Sequence, residues 1–373
     1  MAMAAVSQVV LPDGRGVWMV SKHALAKLVL TDTSLSNDTS RMGAKAPLAA
    51  LPESVRMVMA QDMLNTDPPR HTRLRQSVAQ AFTAHSAGAM RPVADRIADR
   101  LLADLDTSVE VDLVRHYAQP LPTLVLGALI GIPEQDCPDV RRWSDTFVSE
   151  LLLPSDRLQA AAEWLGEYVT ELIRRKHLDP GDDLLTRLID AGLRDVELSS
   201  TVFVLLIAGQ TAASQLVAKA LHLLLSHPDQ LAAVRADETL LAGAIEEVLR
   251  LESPLDVTAF RMTTEPLELD GVVIPAGEIV ICSMPAINRD ADQFHDPDIF
   301  DVRRTDNQHL SFGFGIHRCL GANLARVEAQ AAVSTLLRLR PASRITVREQ
   351  GLRWQPAGIM HLLTALPVRF EPV

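Results

Sequence analysis

Apolar residues recur at three- and four-residue spacing through most of this chain. That spacing predicts helices near residues 21–31, 71–105, 113–130, 138–153, 157–177, 182–193, 199–226, 228–235, 239–252 and 321–338. Clusters of turn-forming residues separate them, among them Pro154-Ser155-Asp156, "HLDPGDD" and "SHPDQ". Strand patterns are few. "VVLPDGRGVWMV" reads as two short strands around Asp13-Gly14, "PLELDGVVIPAGEIVICS" as strands turning at Asp270-Gly271 and Ala276-Gly277, and "LLTALPVRF" as a last strand region. No repeat, low-complexity tract or flexible linker interrupts this order. The fold class expected is therefore mainly α: a single large helical domain over residues 1–373 with a minor β region.

The segment "VFVLLIAGQTAASQLVAKALHLLL" is apolar almost all round. Gln210, Thr211, Ser214 and Gln215 interrupt it before membrane-spanning length, so it reads as a buried core helix. Gly209 inside it costs about 1 kcal/mol relative to alanine. Either something approaches the backbone closely there, or two helices pack tightly.

Composition narrows the class. Of 373 residues, 47% are hydrophobic and 22% charged, as in a globular protein with a sizeable core. A net charge of −11 argues against nonspecific nucleic-acid binding, which needs a cationic footprint. The N-terminal "MAMAAVSQVVLPDG" lacks a basic start and reads as neither signal peptide nor anchor. Cys137, Cys282 and Cys319 are odd in number and far apart, the usage of a reducing cytoplasm. His317-x-Cys319 could offer two zinc ligands, but no CxxC or HxxH pair exists to complete the set.

The candidate chemistry lies in "HLSFGFGIHRCLG". A buried thiolate is costly unless donors and positive charge surround the sulfur. Gly313, Gly315 and Gly321 let the backbone turn sharply and approach a flat partner, the helix start near Gly321 favours an anionic sulfur, and Phe312 can exclude water. With its spacing F-G-x-G-x-H-x-C-x-G, this segment resembles the haem-thiolate signature of the cytochrome P-450 family at Phe312, Gly313, Gly315, Cys319 and Gly321. The resemblance runs from about residue 7 to the C-terminus, and the chain starts where many relatives have already made a helix. "VDLVRHYAQPLP" and "ANLARVE" are further matches.

Several assignments follow from that resemblance. Cys319 becomes the metal ligand, the axial thiolate of haem b (iron protoporphyrin IX), a donor that favours O–O cleavage in this family. In "IEEVLRLESPL", Glu247 and Arg250 lie three apart on one helix face and, with Arg304 of "DPDIFDVRR" rather than Arg303, would brace the cysteine loop. In "DPPRHTRLR", His71 and Arg75 lie four apart at a helix start. Joined by Arg261 and His317, they would hold the two haem propionates. For substrate, Met57, Met59 and Met63 fall in the lid-like "APLAALPESVRMVMAQDMLN", as an adaptable wall or as plain core. Leu205, Ala208, Val257, Thr258, Ile359 and Met360 occupy positions that face the haem in relatives.

One motif departs from the family. Its central helix carries A-G-x-acid-alcohol, whose last two residues deliver protons during oxygen activation, whereas this chain reads Ala208-Gly209-Gln210-Thr211-Ala212. Without a gap, Thr211 replaces the acid and Ala212 the alcohol. With one residue deleted, Gln210 and Thr211 would stand in, but everything beyond would rotate by about 100°. The ungapped alignment is favoured. Gly209, Thr211 and Ala212 thus join Cys319 as candidate catalytic residues.

The implied function is that of a monooxygenase-type oxidoreductase of specialised metabolism. It would abstract a hydrogen atom or electron from a small, largely apolar natural product at the activated haem, giving hydroxylation or C–C or C–N coupling. Lacking a flavin or nicotinamide fingerprint, the chain would take electrons from a ferredoxin and its reductase, docking near Arg318. The alternative is a haem-thiolate sensor or electron carrier without turnover.

Overall fold

The computed structural model describes residues 4–46, 49, 51, 56, 61–151, 155–347, 349–357 and 359–370. The first hairpin forms as its turn signal predicts. β1 (Val6–Val10) and β2 (Gly16–Val20) pair antiparallel with Val6 opposite Val20, and Gly14 in the turn takes φ +84°. Next come α1 (His23–Thr31), β3 (Leu35–Ser36) and the one-turn α2 (Thr39–Met42).

The apolar periodicity over 71–105 is divided among three helices: α3 (Arg70–Ala79), α4 (Ala84–Ala89) and α5 (Arg91–Ala103). The Thr83 hydroxyl accepts the Ser86 N–H at 3.1 Å and so starts a new helix, while Pro92 sits in the first turn of α5, where its missing N–H costs nothing. Beyond β4 (Val111–Asp112), a π-helical turn at Val114–Ala118 precedes α6 (Pro120–Ile130), which Gly131 ends at φ +95°. Then follow α7 (Cys137–Ser149), α8 (Asp156–Leu178) and α9 (Leu184–Asp190). Ser155 and Asp183, both in predicted breaks, cap α8 and α9 by accepting the Leu158 and Thr186 N–H groups, caps typically worth ~1 kcal/mol each.

The central helix, expected unbroken over 199–226, is two: α10 (Asp195–Ala208) and α11 (Thr211–Ser226). The Gln210 side-chain amide donates to the Leu206 carbonyl at 2.8 Å, satisfying an acceptor that an unbroken helix would pair with a backbone N–H. A Cβ on Gly209 would lie 2.7 Å from the Leu205 carbonyl oxygen and 2.8 Å from a methyl of Leu126 on α6. Tight helix packing therefore accounts for this glycine. The stretch Asp195–Ser226 is long and apolar enough to cross a membrane, yet 83% of its most apolar window is buried within the protein.

α12 (Pro228–Ala236) and α13 (Leu240–Leu251) lead to β5 (Arg261–Thr263), β6 (Leu267–Leu269), β7 (Val272–Ile274), β8 (Ile279–Cys282) and the short α14 (Met284–Ile287). The chain closes with α15 (Ala322–Leu339), β9 (Ser343–Ile345), β10 (Arg353–Ala357), β11 (Met360–Ala365) and β12 (Pro367–Phe370). The largest sheet has the order β1-β2-β8-β5-β3, with β2 and β8 parallel and its other pairs antiparallel.

The helices share one extensive apolar cluster, while two smaller clusters cover the faces of the sheet. Alternation in β8 feeds both, with Val280 and Cys282 packing toward α1 and Ile279 and Ile281 toward Phe260 and Met42. Cys282 is thus core, and burial pushes its thiol up to about 12; burial likewise moves the Cys137 thiol to about 11.

Candidate functional site

The break between α10 and α11 faces the cysteine loop across a cavity of about 380 Å³. Leu205, Ala208, Gly209, Thr211 and Ala212 line one side; Phe312, Gly313, His317, Cys319 and Gly321 line the other. Of the three cysteines, only Cys319 lines it.

The loop is shaped by its own backbone. Gly313 and Gly315 adopt φ +68° and +77°, and the N–H groups of Gly313 and Cys319 donate to the Leu310 and Phe312 carbonyls at 2.7 Å each. Gly315 also touches α1, where an added Cβ would come within 2.6 Å of the Leu30 carbonyl oxygen. Gly321 departs from expectation. Its φ of −79° suits any residue, and a Cβ there would meet no protein atom within 4 Å. Here the glycine serves no sharp turn; it leaves the cavity wall bare beside the start of α15. Cys319 opens into the cavity but lies deep among protein atoms, so burial raises its thiol, opposed by the Gly321 N–H and by Arg75, Arg318 and Arg326.

Two histidines and two arginines collect at one end. The His71 and His317 rings lie 4.3 Å apart between centroids, and Arg75 and Arg261 bear on them. Burial, aided by those charges, lowers the His317 imidazole to about 3, and burial also lowers His71, Arg75 and Arg261. Among the described residues, Arg261 Nε and both ring nitrogens of His71 are buried without a hydrogen-bond partner; the Ile316 carbonyl lies near His71 without closing a bond of normal geometry. Orphaned donors beside two arginines fit a dianionic group entering from the cavity.

Two ion-pair anchors lie beside the loop: one reaches Asn307 just ahead of it, the other His309 at its start. Glu247 and Arg250 are fully buried and joined by two 2.8 Å bonds, and Arg304 Nε adds bonds of 3.1 Å to both carboxylate oxygens. Arg303 makes no such contact; its backbone N–H donates to the Asp301 carboxylate. The second anchor was not read from the sequence. Glu246 takes two bonds from Arg326 on α15 and one from His309 at the loop's start. Burial would raise that carboxyl, but these partners outweigh it and hold it at about 2. Arg326 in turn lies 4.5 Å above the Phe312 ring. Asn288 binds the Leu310 N–H and the Ser311 hydroxyl, which itself donates to the Leu249 carbonyl. Partners 22 to 80 residues apart carry no spacing signal.

Of the substrate candidates, Met63, Leu205, Ala208, Thr258, Ile359 and Met360 line the cavity. Val257 does not. It packs beside the sheet with the cluster of Val17, Phe260 and Ile281, because along an extended segment Thr258 and Val257 point to opposite sides. Met57 and Met59 lie outside the described residues. Phe147, Val148 and Leu151 complete the roof, which reading the sequence missed.

Residues 155–339 match the family model described as Cytochrome P450. Cytochrome P450 107B1 of Saccharopolyspora erythraea is 41% identical over 366 residues, 96% of this chain and 90% of that protein. The chain belongs to the cytochrome P450 family. The 6-deoxyerythronolide B hydroxylase of the same organism is 38% identical over 370 residues, covering 96% of this chain and 91% of that protein. The solved structure of the cytochrome P450 enzyme CxnD, for C–S bond formation in chuangxinmycin biosynthesis, superposes with a TM-score of 0.92 at 34% identity, covering 98% of this chain and 91% of that one.

Membership implies a haem-thiolate cofactor and an oxidoreductase of the monooxygenase type. In this P450, Thr211 and Ala212 line the cavity whereas Gln210, 1% exposed, turns away toward Leu206 and Ser144. Glu328, a buried carboxyl that burial drives far above its usual range, also reaches the cavity.

Proposed function

We propose that the chain binds haem b with Cys319 as the axial thiolate and with Arg75, Arg261, His317 and His71 around the propionates. It then oxidises a small, largely apolar product of specialised metabolism. The observation that carries this reading is the cavity itself: a recessed cysteine opposite a helix break, with orphaned polar groups beside two arginines at one end and apolar side chains elsewhere. Haem supplies the oxidising chemistry once bound and reduced. The protein keeps the sulfur among donors and cations, orients the porphyrin by its carboxylates, and excludes water with Phe312, Leu205 and Met360.

Residues 1–373 act as one P450 unit in the cytoplasm, supplied with electrons by a ferredoxin and its reductase. Near the loop, Arg318 is exposed and Lys27 stands 5.7 Å from the Phe314 ring, a local cationic patch suited to an acidic donor. A substrate chamber of this size and apolarity favours turnover over sensing. Relatives named for hydroxylation and for C–S bond formation support both oxygen insertion and oxidative coupling as outcomes.

The deciding experiment is to reduce the haem-loaded protein and add carbon monoxide. The expected result is the red-shifted Soret band of thiolate ligation, lost in Cys319→His. An unshifted band in folded, loaded wild-type protein overturns the reading. With labelled dioxygen, label in the product identifies insertion, and its absence identifies coupling.

A further inference from the structure

The Thr211 hydroxyl is 2.8 Å from Oδ1 of Asp145, a residue of α7 that lies 66 positions earlier in the chain. Thr211 opens α11 immediately after the break and lines the cavity beside Ala212. Asp145 stands behind it, only partly exposed and outside the cavity wall, with Arg141 one turn back on the same helix. The order from the protein's edge inward is thus carboxyl, hydroxyl, cavity.

We propose that Asp145 and Thr211 form an acid–alcohol relay assembled across two helices, which brings protons into the cavity where the α10–α11 segment lacks its own acid. The proposal rests on the reading of Cys319 and haem given above. Asp145, as the acid, gives its proton to Thr211 Oγ1 while Thr211 releases its hydroxyl proton into the cavity. The carboxylate is then reprotonated from the solvent side, and the hydroxyl rotates back. One proton enters and one leaves, and a 2.8 Å O–H···O bond serves either direction.

Two features support a relay over a mere clamp. Phe147 of α7 already meets Phe203 of α10, the helix that ends at the break, edge to face at 5.7 Å, so α7 is packed against this region without the help of this bond. Burial also pushes the Asp145 carboxyl up, against the pull of Thr211 and Arg141, which keeps the acid form accessible closer to neutrality.

The test compares Asp145→Asn, Asp145→Glu and Thr211→Val, each first shown to keep the wild type's ferrous carbon-monoxide band. That control separates failure of the relay from failure of the cofactor reading. The first readout needs no turnover. As pH is lowered, the infrared difference between wild type and Asp145→Asn should contain a protonated-carboxyl C=O band that shifts in D₂O. The second is the share of electrons reaching product. Asp145→Asn and Thr211→Val should each lose about 10²-fold in product formation, the low end for a positioned proton donor, with electrons diverted to hydrogen peroxide. Asp145→Glu should regain part, and the double variant should be no worse than either single one. Absence of the carbonyl band, unchanged coupling in Asp145→Asn, or additive losses in the double variant would each overturn the relay.

Discussion

The two sides of the cavity are built on opposite plans. On the cysteine side, the approach to the loop is cross-linked: Glu247 gathers Arg250, Arg304 and Asn307, Glu246 gathers Arg326 and His309, and Asn288 binds both Leu310 and Ser311. On the opposite side the polar contacts are few. The helix break is served by Gln210 and by the single Thr211–Asp145 bond, and the rest of that wall is aliphatic or aromatic. A metal ligand must be held to within a fraction of an ångström, whereas substrate walls gain from side chains that can repack. The contrast teaches that polar cross-links were concentrated where position matters and left out where shape must vary.

The largest effect should come from breaking the stiff side. Glu247→Ala leaves Arg250 charged and fully buried without its carboxylate, so about 3–5 kcal/mol of stability is expected to disappear, with haem retention falling alongside. Urea denaturation of the haem-loaded protein measures it, and an unmoved midpoint would remove the contrast altogether.

The second anchor offers a pH signature. The folded Glu246 carboxyl is depressed from its ordinary 4.5 to about 2, so its stabilisation is complete above about 4.5 and is lost as pH falls toward about 2. Glu246→Gln should therefore lower the melting temperature at neutral pH, by an amount that shrinks through that acidic window. A deficit independent of pH would show that packing, not charge, holds the loop.

The smallest stability change belongs to the adaptable wall. Met63→Leu nearly conserves volume and should cost less than about 1.5 kcal/mol. It should shift the substrate's spectral titration proportionately more than the denaturation midpoint. The reverse ranking would make Met63 ordinary core.

Legibility in the sequence followed the same division. Cys319, Gly313 and Gly315 sit within one short motif, and Glu247 with Arg250 or His71 with Arg75 lie within one helical turn, so local spacing announced them. Arg304 could be named ahead of Arg303 only through the family resemblance; in the structure it is Arg304 that bonds to Glu247. Glu246–Arg326 and Thr211–Asp145 join residues 80 and 66 positions apart, contacts that exist only once the helices pack. The interruption after Ala208 was hidden because one residue, Gln210, both continues the polar–apolar rhythm and replaces a backbone donor with its own amide. Val257 was misplaced by a simple alternation: in extended chain its neighbour Thr258 takes the inward side.

That amide has one more consequence. Because the Gln210 amide pairs with the Leu206 oxygen, the notch in the long rod is stitched from within the chain. The backbone of the chamber's ceiling is therefore fastened at that point, and variation in shape falls to the side chains that hang from it.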